Sequence, residues 1–264
     1  MRRTVVLALL LAACSSRGHG KTVRVAAAAD LERAFDELAA AFEKKTGITP
    51  VIDFGSSGLL SKQISQGAPY YLFAAANADY VDQAVESGRC DATTRNSYAR
   101  GRVVVWCPSG VAPPVKLADL ADPRFKRIAI ANPEHAPYGM AAKQALIRAG
   151  IWDQLQDKLV LGDNVQITMQ YARDHTVDAS LVALSLAVVT DGGSFLPIDT
   201  SQYDPLDQQL VVCGNGPEAD YARRLAAYIG SPDGRELMAR YGFHLPDETP
   251  RFAPPSAPAP DAAP

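Results

Sequence analysis

The stretch VRVAAAADLERAFDELAAAFEKKTG, residues 23–47, decides the fold. Apart from Arg24, residues 23–28 form a short run of small and β-branched apolar side chains, too short for a helix and suited to a buried strand. Leu31, Phe35, Leu38 and Phe42 then recur at the spacing of one helical face, so a helix is predicted over 31–45, stopped at Gly47. A strand that passes almost at once into a helix is the repeating unit of a mainly parallel sheet.

The same alternation runs outward from this unit. Strands are predicted over 51–54 and 72–76, with helices over 59–66 and 79–86, and together they make one half-domain. The run 103–107, followed by Pro108, reads as a strand leaving it. Strands over 127–131, 159–161 and 180–182, with helices over 139–149 and 165–173, make a second lobe. A strand over 209–212 returns, and helices over 218–229 and 233–241 pack back on the first lobe. The expected fold is therefore α/β and two-lobed, each lobe a mainly parallel sheet flanked by helices, with a hinge of crossing strands. Residues 22–104 and 207–248 are assigned to the first lobe and 105–206 to the second.

The chain has 264 residues, of which 47% are hydrophobic and 21% charged, an ordinary globular composition. Its 26 basic and 29 acidic residues give a net charge of -3, so there is no broad positive field for nucleic acid, and an anionic ligand would have to be held locally. Met1-Arg2-Arg3 precedes an apolar run over 4–11, far shorter than the roughly 20 residues needed to span a bilayer. Residues 1–13 therefore read as a cleaved signal, 14–21 as a tether and 249–264, nearly all Pro, Ala and Ser, as a disordered tail. Leu11-Ala12-Ala13-Cys14 resembles the lipobox of bacterial lipoproteins. That resemblance implies that Cys14 becomes the acylated N-terminus, holding the protein to a bacterial membrane, on its periplasmic or cell-surface side, through lipid alone. Cys90, Cys107 and Cys213 remain, an odd set. Two readings stay open: a disulfide between Cys107 and Cys213, each of which closes a strand-like run, or buried free thiols.

Open α/β sheets bind ligands past the C-terminal ends of their strands, and two loops stand there in the first lobe: Ala28-Ala29-Asp30 and Gly55-Ser56-Ser57-Gly58. Each feeds a helix N-terminus, whose unpaired N–H groups and partial positive charge hold an anion without Lys or Arg. The bland alternative is capping, for which Asp30 and Ser57 are equally suited. Asn132-Pro133-Glu134-His135-Ala136-Pro137-Tyr138-Gly139 and Gly162-Asp163-Asn164-Val165 repeat the arrangement in the second lobe. A buried dianion calls for about six to eight donors, at roughly 1.5 to 3 kcal/mol per charge-assisted hydrogen bond. One lobe supplies too few, so closure is expected to depend on ligand.

Over about 23–243 the chain resembles the periplasmic molybdate-binding proteins of ABC transporters, of the type II periplasmic binding protein fold. The carriers are residues 25–31, Phe54-Gly55-Ser56-Ser57-Gly58, Gln63 with Gly67-Ala68-Pro69, residues 133–139, Val182-Ala183-Leu184-Ser185 and Arg240-Tyr241-Gly242-Phe243. The resemblance implies capture of molybdate or tungstate by a monomer, without a cofactor, for a permease and its ATPase. It places oxyanion contacts at Asp30, Ser57, Tyr138, Val165 and Ala183, with Tyr138 and Val165 acting through backbone N–H. Two departures bear on the ligand. Ala183 stands where many members place a Tyr hydroxyl, so a donor is lost. Asp30 stands where many have Ser, and an ionised carboxylate repels a dianion. Asp30 either turns away to cap its helix while its N–H serves the ligand, or is protonated and donates, or accepts a proton from an anion such as hydrogen phosphate.

Other function classes find less support. The order Gly-Ser-Ser-Gly is not a nucleophile elbow, no phosphate loop or zinc spacing occurs, and His135 reads as a loop residue, with His175 and His244 on the surface. A ligand-free scaffold lipoprotein, or a cleft for an organic anion lined by Tyr70, Tyr71, Tyr80 and Tyr138, remains an alternative.

Overall fold

Residues 20–245 are described by the computed structural model, so the signal segment, Cys14 and the 249–264 tail lie outside the described residues. Ten strands form two five-stranded sheets: β1 (Lys21–Ala28), β2 (Ile48–Gly55), β3 (Leu72–Ala75), β4 (Cys90–Gly101) and β10 (Leu206–Cys213) in the first, and β5 (Val103–Pro108), β6 (Ile128–Ala131), β7 (Leu159–Gly162), β8 (Ala179–Ala183) and β9 (Gly193–Pro197) in the second. The first is ordered β2-β1-β3-β10-β4 and the second β7-β6-β8-β5-β9. In each, three parallel strands are followed by two antiparallel pairings. The helices are α1 (Glu32–Thr46), α2 (Ser57–Ser65), α3 (Ala78–Glu86), α4 (Pro137–Arg148), α5 (Trp152–Leu155), α6 (Val165–Arg173), α7 (Leu184–Ala187), α8 (Pro217–Ile229) and α9 (Pro232–Arg240). This is the two-lobed α/β architecture anticipated from the alternation.

Burial explains why these segments hold. Phe35, Leu38 and Phe42 of α1 are each about 1% exposed, and burying each such side chain is worth about 1.5 to 3 kcal/mol. Gly47 ends the helix at φ 68°, a left-handed conformation that suits glycine, and Lys44 and Lys45 sit in the negative last turn. α8 packs on β1 and β10, and α9 on α1, so the C-terminal helices return to the first lobe. Lys45–Asp233 at 2.9 Å and Arg240–Glu37 pin α9 to α1, although such exposed pairs add little.

The chain crosses between sheets at Arg102, so β5 lies wholly in the second, and it returns at β10, where Leu206 pairs with Gly101. Arg100 and Asp207 face one another across this crossing, Nε to Oδ1 at 2.6 Å.

Two expectations are corrected. The disulfide joins Cys90 to Cys213 rather than Cys107 to Cys213. Cys213 pairs in register with Cys90 on adjacent strands, whereas Cys107 belongs to the other sheet, where it is a buried free thiol that burial pushes up to about 12. His244 is not a surface residue: it is buried, and its carbonyl accepts from the Arg100 N–H at 2.7 Å.

Candidate functional site

β1 and β2 end side by side, Ala28 opposite Gly55, and β6 and β7 do the same, Ala131 opposite Gly162. The turns that follow surround one small cavity between the lobes. The first lobe lines it with Ala28, Ala29, Asp30, Gly55, Ser56, Ser57 and Ala76, and the second with Ala136, Pro137, Tyr138, Asn164 and Val165. Four of the five residues singled out in the sequence, Asp30, Ser57, Tyr138 and Val165, are among them. Ala183 is not: it is buried at the end of β8, in register with Val103.

The available donors follow from helix capping. Ser57 and Val165 open α2 and α6, Tyr138 is the second residue of α4, and Asp30 lies in the single 3-10 turn 29–31, so none of their N–H groups has an acceptor within its own helix. Adjacent amides are used elsewhere. Leu59 N–H donates to Ser56 Oγ at 3.4 Å, Gly58 N–H to the His135 carbonyl at 3.0 Å, and Gln166 and Ile167 N–H to Asn164 Oδ1 at 3.0 and 2.9 Å. Ser57 is fully buried and its Oγ accepts from Ala76 N–H at 2.9 Å, which leaves its own hydroxyl proton to donate. The cage thus offers four amides and the Ser57 hydroxyl, with the side-chain amide of Asn164, whose Oδ1 accepts from Gln166 and Ile167, beside them. Among the described residues, no Lys or Arg lines it.

Asp30 differs from the capping role. The cap positions of the 29–31 turn and of α1 are Ala28 and Leu31, and Asp30 is 1% exposed. Oδ2 accepts from Tyr138 Oη at 2.9 Å and from Gln208 Nε2 at 2.5 Å, while Oδ1 is buried without a partner. Burial pushes this carboxyl up to about 6, against the opposing pull of Gln208, Tyr138 and the residue's own amide. Tyr138 is likewise more than a backbone donor, because its ring is buried and burial, then Asp30, raises its hydroxyl well above the usual tyrosine range. Gly101 makes room for the group: a Cβ there would lie 2.5 Å from Tyr138 Oη and 3.0 Å from Gln208 Nε2.

Further contacts close the cleft. Ser56 Oγ lies 2.8 Å from His135 Nδ1, and Ser185 Oγ donates to the Asp30 carbonyl at 2.9 Å. A Cβ on Gly58 would meet the His135 carbonyl oxygen at 2.6 Å, so glycine is what lets α2 approach the second lobe. Gln208 escaped the sequence reading. The signal was its place in the alternation of β10, on the same buried face as Leu206 and Leu210.

A family model described as "Bacterial extracellular solute-binding protein" matches residues 23–244. The molybdate-binding protein ModA of Azotobacter vinelandii is 32% identical over 248 residues, covering 92% of this chain and 97% of that protein. The protein of the same name from Rhodobacter capsulatus is 30% identical over 240 residues, 90% and 93% of the two chains. The solved Azotobacter vinelandii periplasmic molybdate-binding protein superposes with a TM-score of 0.79 at 30% identity, over 85% of this chain and 99% of that one.

Proposed function

The chain belongs to the bacterial extracellular solute-binding protein family, and from that premise we propose that it captures molybdate or tungstate between its lobes for an ABC importer. One observation carries this reading: the first-turn N–H groups of Asp30, Ser57, Tyr138 and Val165, with the Ser57 hydroxyl, line a single cavity that no cation serves. A tetrahedral dianion is satisfied there by dipoles from both lobes, so ligand stabilises the closed form. The relatives' names supply the ligand class. Asp30, Ser57, Tyr138 and Val165 are the contact residues. Ala183 is left out of the direct contacts, since it does not line the cavity.

Cys14 carries the lipid, the domain works as a monomer outside the cytoplasmic membrane, and the closed form is handed to a permease with its ATPase. No cofactor is required and no reaction is catalysed. The contact that a hydrolase would need, Ser56 to His135, serves closure instead: Ser56 also caps α2, and no carboxylate bonds His135 among the described residues.

Calorimetric titration of the mature protein with molybdate, tungstate, sulfate and phosphate tests this directly. One tight site for molybdate and tungstate supports it. Heat with phosphate alone would transfer the site to another anion, and turnover of a chromogenic ester lost in Ser56→Ala would make it an enzyme.

A further inference from the structure

Asp30 sits where an anion-binding cage should least tolerate it. The residue lines the cavity, and its carboxyl is buried. Among the described residues, its surroundings hold no compensating cation. β4 brings the Tyr98 hydroxyl near it, α4 that of Tyr138 and β10 the Gln208 amide, while α6, α7 and β2 bring Val165, Ser185 and Gly55 to the same turn. Glu32 and Arg33 follow it in the chain, and neither hydrogen-bonds to it.

The two oxygens are also unlike. Oδ2 receives two donors, from Tyr138 and Gln208, and so is the acceptor end. Oδ1 has no partner. A carboxyl with one doubly accepting oxygen and one unsatisfied oxygen is arranged as an acid whose proton rides on the second.

Resting on the oxyanion reading above, we propose that Asp30 joins the site as the neutral acid, Oδ1–H donating to a ligand oxygen, so that each dianion bound brings one proton from solvent. The carboxyl then supplies a donor in place of a repelling charge. With free Asp30 titrating at about 6, ionised protein must take up a proton to bind, and affinity falls about tenfold for each pH unit above that point and levels off below it.

The test is calorimetric titration with sodium molybdate at about pH 5.5 to 8.5, in buffer pairs of different ionisation enthalpy, on the wild type and on Asp30→Asn. Expected is uptake of close to one proton per molybdate at the alkaline end and an affinity loss of about a hundredfold over the top two pH units. Asn carries its own N–H, so Asp30→Asn should bind more tightly than wild type at the alkaline end, with no proton uptake and a flat profile. Binding by the wild type without proton uptake overturns the assignment, as does an unchanged pH slope in the variant. The uptake measurement stands on the wild type alone if the variant does not fold. Absence of molybdate binding by both proteins overturns the oxyanion reading itself, and this assignment with it.

Discussion

The Tyr138 hydroxyl of the second lobe donates to Asp30 Oδ2 of the first at 2.9 Å, in a pocket closed on the hinge side by Gln208 and Gly101. The bond joins the two lobes across the cavity. Tyr138→Phe keeps the ring and removes the bond. Loss of a net contribution of about 1 kcal/mol should weaken molybdate binding roughly fivefold. An unchanged affinity would show that closure does not use this contact.

Asp30 also makes stability depend on pH. Its folded carboxyl titrates at about 6, above the ordinary 3.8, so folding favours the protonated form. The stabilisation is therefore complete below 3.8 and is lost as pH rises through about 6. At pH 8 the ligand-free Asp30→Asn protein should exceed the wild type by up to about 3 kcal/mol, with the gap shrinking toward pH 4. Denaturant melts at both pH values check the sign, and a gap that grows on acidification contradicts it.

Ser57→Ala removes one proposed ligand donor and the acceptor of the Ala76 N–H. Affinity should drop about 10- to 100-fold, the worth of one charge-assisted hydrogen bond, and stability by about 1 kcal/mol. Titration and melting separate the two losses.

Gly58→Ala places a methyl group 2.6 Å from the His135 carbonyl oxygen, across the cleft. Closure should be blocked and molybdate binding lost. Small-angle scattering should show the variant failing to contract when ligand is added, and a normal contraction would refute the close approach.

Reduction of Cys90–Cys213, which closes a loop of 123 residues, should cost about 2 to 5 kcal/mol. Cys107 should resist thiol reagents until the protein unfolds, because it is buried and its thiol is pushed up to about 12. A form starting after Cys14 makes the count unambiguous. Rapid labelling of one thiol in native, oxidised protein would contradict the pairing.

Most of the fold was legible because its strands are short apolar runs and its helices carry regular stripes. β4 was not. Its sequence, CDATTRNSYARG, is polar and largely exposed, and it becomes a strand by pairing with β10 at the sheet edge. The wrong disulfide followed from that gap, since without β4 nothing places Cys90 beside Cys213. β9 was missed for the same reason, being an exposed edge. The ligand-facing loops were visible as glycines, serines and helix starts after strands. The use of the Asp30 and Tyr138 side chains was not, because it depends on Gln208, 178 residues from Asp30 and brought beside it by the crossing of β10.

The most direct test is a crystal of the tungstate complex, in which anomalous scattering locates the metal atom independently of the chain. One strong peak is expected between the lobes, with ligand oxygens in hydrogen-bond reach of the amides of Asp30, Ser57, Tyr138 and Val165 and of the Ser57 hydroxyl. A cavity without the peak, or a peak at the hinge cleft beside Arg100 and Arg102, would contradict it.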